Sequence, residues 1–218
     1  MAPLQQFALV IGGILALLIV SEVLWHMKLI RGEMGRKFVH MTAGLLIASW
    51  PLLISFRTIQ ILSMCFIAAI YVSKRFNILK SIHAVDRKSY GEYGYAIGVG
   101  ISSVLFPQPR VFASAVLVMA VADAFAALIG TKWGRHKYKV GKDTKSLEGS
   151  AAFYITCALI YSGLLLVKGE FANQSLMQTV YISGGAAVLM IVEALGIYGT
   201  DNIALPIAAG LIANQLFR

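Results

Sequence analysis

The chain has 218 residues, 58% of them hydrophobic, and the 20 glycines bring the apolar share to about two thirds, where soluble domains sit near 45–50%. Charged residues make up only 13%, yet 19 Lys and Arg face 10 Asp and Glu, a net charge of +9. These figures exclude an ordinary soluble domain, a disordered chain and a secreted mini-protein, and they point to a membrane protein with one basic face.

Uncharged apolar runs cover Phe7 to Trp25, Phe38 to Ile54, Thr58 to Val72, Tyr93 to Phe106, Val111 to Ile129, Ala151 to Val167, Thr179 to Leu195 and Ile203 to Phe217. They predict an all-α, polytopic transmembrane helical bundle of seven or eight spans, in one domain over residues 1–218. Several runs fall short of the roughly 20 residues that cross the hydrocarbon core. The first has no basic residue before it and no small-residue cleavage pattern after it, so it is expected to be retained as a span. With eight spans, the odd-numbered connections hold 15 of the 19 Lys and Arg, which predicts that they are cytoplasmic and that both termini lie outside. The two cysteines, Cys65 and Cys157, sit inside apolar runs and supply neither a disulfide framework nor a zinc site.

The first connection leads into Arg36-Lys37-Phe38-Val39-His40, with Arg36 and His40 four residues apart and therefore on one helix face. A cation and an imidazole at the interface suit a phosphate or a reacting hydroxyl, although a lone buried His is as often a packed, hydrogen-bonded residue. The third connection carries the polar stretch Asp86-Arg87-Lys88-Ser89-Tyr90-Gly91-Glu92. Within the fifth run, Asp123 is a carboxylate where an ionised group is expensive and by default marks a functional site or a paired charge. Ala126, Ala127 and Gly130 share its face and let another helix or a ligand approach the backbone.

The fifth connection has six basic residues from Lys132 to Lys145, with glycines at 130, 134 and 141, and runs into Lys145-Ser146-Leu147-Glu148-Gly149-Ser150 at the start of the sixth helix. Positive side chains, free N–H groups and a helix N-terminus suit a polyphosphate. No Walker loop is present. The plainer alternative has Asp123 pairing with a lysine of the following loop, Gly130 and Gly134 packing helices, and the lysines obeying the positive-inside rule or touching anionic lipid. Glu193, at the end of the seventh run, and Asp201-Asn202 after it add oxygen ligands of the kind that Mg²⁺ takes together with substrate phosphates. His26, His83 and His136 show no partner pattern.

Together, Arg36-Lys37 with His40, Arg87, Tyr90 to Glu92, Asp123, Ala126, Gly130, Gly134, the block Lys145 to Ser150, Glu193, Asp201, Asn202 and Pro206 make the chain resemble the polytopic lipid kinases, the family of phytol kinase, dolichol kinase and the CTP-dependent diacylglycerol kinase of yeast. The resemblance covers nearly the whole chain. It implies transfer of the γ-phosphoryl of CTP, or less often another nucleoside triphosphate, to the hydroxyl of a membrane lipid alcohol, with phytol, polyprenol and diacylglycerol fitting a chain this short better than dolichol. On that footing Asp123, Lys145, Arg36 and His40 are the expected catalytic residues. Gly130, Lys132, Gly134, Lys145, Ser146, Gly149 and Ser150 are expected at the nucleotide. Asp123, Glu148, Glu193, Asp201 and Asn202 are expected at Mg²⁺, with the active site on the cytoplasmic face.

The partners implied are the bilayer, a lipid alcohol and a triphosphate, with no nucleic acid, and the oligomeric state is open between a monomer and a homo-oligomer. Two other readings compete: a phosphatidate cytidylyltransferase, which would leave a γ-label in pyrophosphate, and a small transporter, which would be expected to show inverted repeats.

Overall fold

A computed structural model describes residues 3–29, 32–76, 91–141, 143–168, 176–196 and 199–217. The stretch Asp86 to Tyr90, with Lys80, His83 and Lys142, lies outside them. Eight helical rods follow the eight apolar runs among the described residues: α1 (Pro3–His26), α2 (Gly32–Ala48), α3 (Phe56–Phe76), α4 (Gly91–Leu105), α5 (Pro109–Trp133), α6 (Leu147–Lys168), α7 (Leu176–Leu195) and α8 (Asp201–Leu216). Five of them, α1, α3, α5, α6 and α7, are long and apolar enough to cross a membrane. The others have 17, 15 and 16 residues, below the length that spans the hydrocarbon unaided.

The sequence dictates where these rods stop. Pro51 cannot continue α2, so the second run leaves the helix and closes in a 3₁₀ turn, Trp50–Leu52. The N–H groups of Leu53 and Ile54 both donate to the Trp50 carbonyl at 2.8 Å. Pro109 opens α5 at a position whose N–H would have no helical partner.

The α5 rod is the core. Of its most apolar window 61% is buried against protein, compared with 11% for α1. Phe112, Ala115, Val116, Val118, Met119, Ala120, Ala122 and Ala124 are fully buried. It is packed by α2, α6 and α8, while α3 pairs with α4 and α7 with α6 and α8. Large apolar side chains such as Leu52, Met64 and Val167 point outward, as lipid-facing positions do.

Close crossings at small residues hold the rods together. A Cβ at Gly98 of α4 would lie 2.1 Å from the Asn202 carbonyl oxygen of α8 and 3.1 Å from the Pro206 ring. Gly98→Ala must therefore push two backbones apart, and it is expected to destabilise the protein by at least about 2 kcal/mol, the upper part of the overpacking range. Thermal unfolding in detergent, where a wild-type midpoint would count against this crossing, checks it.

The bundle is all-α as expected, with two local features that the apolar runs do not announce. Residues 137–140 and 143–146 pair as an antiparallel hairpin, β1 (Lys137–Val140) and β2 (Asp143–Ser146), with Val140 opposite Asp143. Lys137-Tyr138-Lys139-Val140 alternates charged with apolar residues, which is the strand period, and Gly141 at the tip has φ +58 as a tight hairpin turn requires. Lys145 and Ser146 thus end a strand, and the sixth helix starts at Leu147. The second feature is a π-helical turn, Val118–Ala122, in the middle of α5 immediately before Asp123. Such single π turns are rare and are frequent at functional sites.

Candidate functional site

Helix α2 leans directly on the π turn: a Cβ at its Gly44 would stand 2.0 Å from the Ala120 Cβ. That approach brings the first turns of α2 against Asp123. Lys37 and Asp123, each with a side chain only 7% exposed, form a buried ion pair in which Lys37 Nζ donates to Asp123 Oδ2. His40 Nε2 lies 3.7 Å from the same carboxylate oxygen and 3.1 Å from the Met119 carbonyl of the π turn, which places a proton on Nε2. Tyr95 of α4 meets the imidazole edge-on at 4.5 Å between ring centres, and its hydroxyl donates to the His40 carbonyl at 3.4 Å. Arg36 adds positive charge beside both His40 and Asp123. Sequence reasoning placed Arg36, His40 and Asp123 here but gave Lys37 no role and missed Tyr95. Asp123 has the lysine partner that its cost predicts, supplied by α2 rather than by the following loop.

A second ion pair sits beside the first. Lys145 Nζ donates to Glu193 Oε1 at 2.7 Å and to the Glu193 backbone carbonyl. The charge of Asp123 acts on both Glu193 and Asp201, and those of Lys37 and Lys145 act on Asp201. Asp201 Oδ1 accepts the Asn202 N–H, and Asn202 Nδ2 donates to the Gly91 carbonyl at 2.8 Å, tying α8 to the start of α4. The buried Asn202 Oδ1 has no hydrogen-bond partner among the described residues. Lys74 at the end of α3 meets Glu92 at 2.8 Å. The starts of α2, α4 and α8, the ends of α3 and α7 and the foot of the hairpin therefore share one end of the bundle.

The remaining expected site residues have other partners. Ser146 caps α6, its Oγ accepting the Gly149 N–H at 3.1 Å. Gly130, Gly134 and Gly149 face one another and Ser146 where α5 crosses α6, and a Cβ at Gly149 would come 2.8 Å from the Ala126 carbonyl. The space these glycines leave is thus taken by the neighbouring helix. The Ser150 hydroxyl meets Tyr138 at 2.6 Å, and Lys132 lies over the Trp133 ring at 4.5 Å. Glu148 turns to His136, 2.7 Å from its Nδ1, and accepts the His136 N–H as well, so it clamps the hairpin foot. His136 therefore has a partner that no spacing pattern announced, because the hairpin creates the contact. Among the described residues no three His, Cys, Asp or Glu side chains form a ready-made metal cage.

Next to the charged cluster is a cavity of about 120 Å³ between α1, α2, α3 and α4. Its walls are apolar except where Arg36, His40, Glu92 and Tyr95 enter it at one end and Ser63 at the side.

Over 204 residues the chain is 33% identical to the phytol kinase of Synechocystis sp., an alignment covering 91% of this chain and 85% of that one. The chain belongs to the CTP-dependent lipid-alcohol kinase family. The lipid-alcohol kinase is also 29% identical over 126 residues to CTP-dependent diacylglycerol kinase 1 of Schizosaccharomyces pombe, covering 54% of this chain and 56% of that one. To the probable chloroplastic phytol kinase of Triticum aestivum it is 25% identical over 230 residues, 96% of this chain and 76% of that one. No family profile and no solved structure matches it. The lipid-alcohol kinase is a membrane protein and a phosphotransferase that uses a nucleotide donor, which sets aside the cytidylyltransferase and transporter readings.

Proposed function

We propose that the enzyme transfers the γ-phosphoryl group of CTP to the hydroxyl of an isoprenoid alcohol of the phytol class. In this reading all eight rods lie in the membrane, both termini are outside and the charged end of the bundle faces the cytoplasm. The observation that carries it is the meeting of an apolar cavity with a charged cluster at His40, which lines the cavity and lies 3.7 Å from Asp123. A greasy alcohol enters that cavity tail first and leaves its hydroxyl among Arg36, His40 and Tyr95. The triphosphate arrives from water along the exposed lysines of the hairpin and reaches Lys145. The names of the relatives support both halves: phytol kinase for the acceptor, CTP-dependent diacylglycerol kinase for the donor.

Phosphoryl transfer demands positioning and charge neutralisation more than covalent chemistry. The alcohol oxygen forms a bond to the γ phosphorus, the bond from that phosphorus to the β,γ-bridging oxygen breaks, CDP leaves with the electron pair, and Asp123 accepts the hydroxyl proton. Arg36 and Lys37 neutralise the moving phosphoryl group, and Lys145 holds the phosphates behind it. Mg²⁺ usually takes one or two carboxylates and completes its shell with phosphate oxygens and water. Asp123 and Asp201, whose charges act on each other, fit that demand without a cage. Bound there, Mg²⁺ would neutralise the triphosphate; Glu148, committed to the hairpin, is left out of this set.

Purified protein with Mg²⁺, γ-labelled CTP, ATP or UTP, and a panel of phytol, farnesol, polyprenol and diacylglycerol tests this. Label is expected on phytol, with CTP the preferred donor. Label on diacylglycerol and on no isoprenoid alcohol overturns the acceptor, and equal rates from ATP overturn the donor.

A further inference from the structure

The cavity has direction. On three helices the polar end and the far end can be told apart: Arg36 against Trp50 around α2, Ile70 against Leu62 on α3, and Glu92 against Val99 on α4. Lys74, one turn beyond Ile70, pairs with Glu92, which confirms that α3 runs the other way. At the far end Trp50, Leu62 and Val99 all belong to the buried core, and Trp50 is only 2% exposed. The far wall of the cavity is therefore built from core side chains.

Trp50 is the largest residue there. It begins the 3₁₀ turn after α2, and its carbonyl accepts two N–H groups. Among the described residues its buried indole Nε1 has no hydrogen-bond partner. A polar handle that binds nothing leaves bulk as what the ring contributes. From His40 to Ala48, where α2 ends, the chain advances eight residues, about 12 Å along the helix axis at 1.5 Å per residue, and Trp50 follows in the turn beyond.

We infer that Trp50 is the floor of the lipid-tail cavity and sets the longest alcohol that the kinase accepts efficiently. The inference rests on the isoprenoid-alcohol reading above and adds a specificity-determining residue to it. An alcohol whose tail reaches Trp50 fills the cavity. A longer one must leave part of its chain outside or draw its hydroxyl back from His40.

The test is the ratio of kcat/KM among geraniol, farnesol, geranylgeraniol and a longer polyprenol for the unaltered enzyme, Trp50→Ala, Trp50→Phe and Ala43→Phe. Ala43 lines the cavity one turn past His40, so a ring there raises the floor. Trp50→Ala is expected to raise the polyprenol-to-farnesol ratio by about tenfold, Trp50→Phe by about twofold, and Ala43→Phe to lower the geranylgeraniol-to-geraniol ratio by about tenfold. Should Trp50→Ala not fold, Trp50→Phe decides. Unchanged ratios in folded Trp50 variants, with isoprenoid alcohols turned over normally, overturn the floor and leave the proposed function standing. If the unaltered enzyme phosphorylates no isoprenoid alcohol, the proposed acceptor falls and the floor falls with it.

Discussion

Asp123→Asn protein is expected to phosphorylate lipid alcohol at least about a hundredfold more slowly than the unaltered enzyme, the scale of losing one charge aimed at a reacting centre. It is also expected to unfold earlier, because Lys37 is then a buried cation without its counter-charge, and breaking a buried pair costs about 3–5 kcal/mol. The two effects must be separated, since a purely structural Asp123 would show the second and drag the first along with it. Replacing both partners with apolar residues separates them: buried pairs exchanged for well-packed hydrophobic side chains are often as stable as the original or more so. Lys37→Met with Asp123→Leu should therefore recover most of the thermal midpoint while turnover stays at the single-variant level. A double variant that regains both midpoint and turnover would make the ion pair structural and remove Asp123 from the chemistry.

How much of this was written in the sequence depends on the range of the interaction. Each apolar run became one rod, because a hydrophobic stretch bounded by charges needs no tertiary context to be helical in a bilayer. The hairpin was hidden because a four-residue alternation amid lysines and glycines reads equally well as a loop, and only its pairing with residues 143–146 makes it a strand. The π turn has no sequence signature; it becomes visible only through the carbonyl that reaches His40.

The site divides along the same line. Asp123 and Glu193 were conspicuous because an acidic residue in an apolar run is expensive wherever it ends up. Their partners, Lys37 at a separation of 86 residues and Lys145 at 48, were invisible as partners, since nothing local pairs α2 with α5 or the hairpin with α7. Glycine is ambiguous in the opposite way. Gly130, Gly134 and Gly149 invite a phosphate when read alone, yet each is also what a close helix crossing needs, and the crossing of α5 with α6 uses all three. Tyr95 carried no signal, because an aromatic residue in a membrane run is ordinary until an imidazole is found against its edge.

Lys145 gives the second large effect. Its ammonium is held by two oxygens of one residue, the Glu193 carboxylate and carbonyl, and it is 17% exposed, so it is aimed and still reachable from water. A hydrogen bond to a charged group contributes about 1.5–3 kcal/mol, so Lys145→Ala is expected to raise KM for the triphosphate by about 10- to 100-fold. KM for the lipid alcohol should change by less than about twofold, because the alcohol is held at the Arg36 and His40 end. If Glu193 acts by aiming Lys145, removing Glu193 after Lys145 should cost nothing more. Glu193→Ala and Lys145→Ala would then each weaken triphosphate binding, and the double variant would be no worse than Lys145→Ala alone, a non-additivity that contact between the two predicts. Fully additive losses would instead give Glu193 a contact of its own with the triphosphate or its metal. A rise in the KM for the alcohol would move Lys145 to the wrong side of the reacting phosphorus and break the assignment of the two ends.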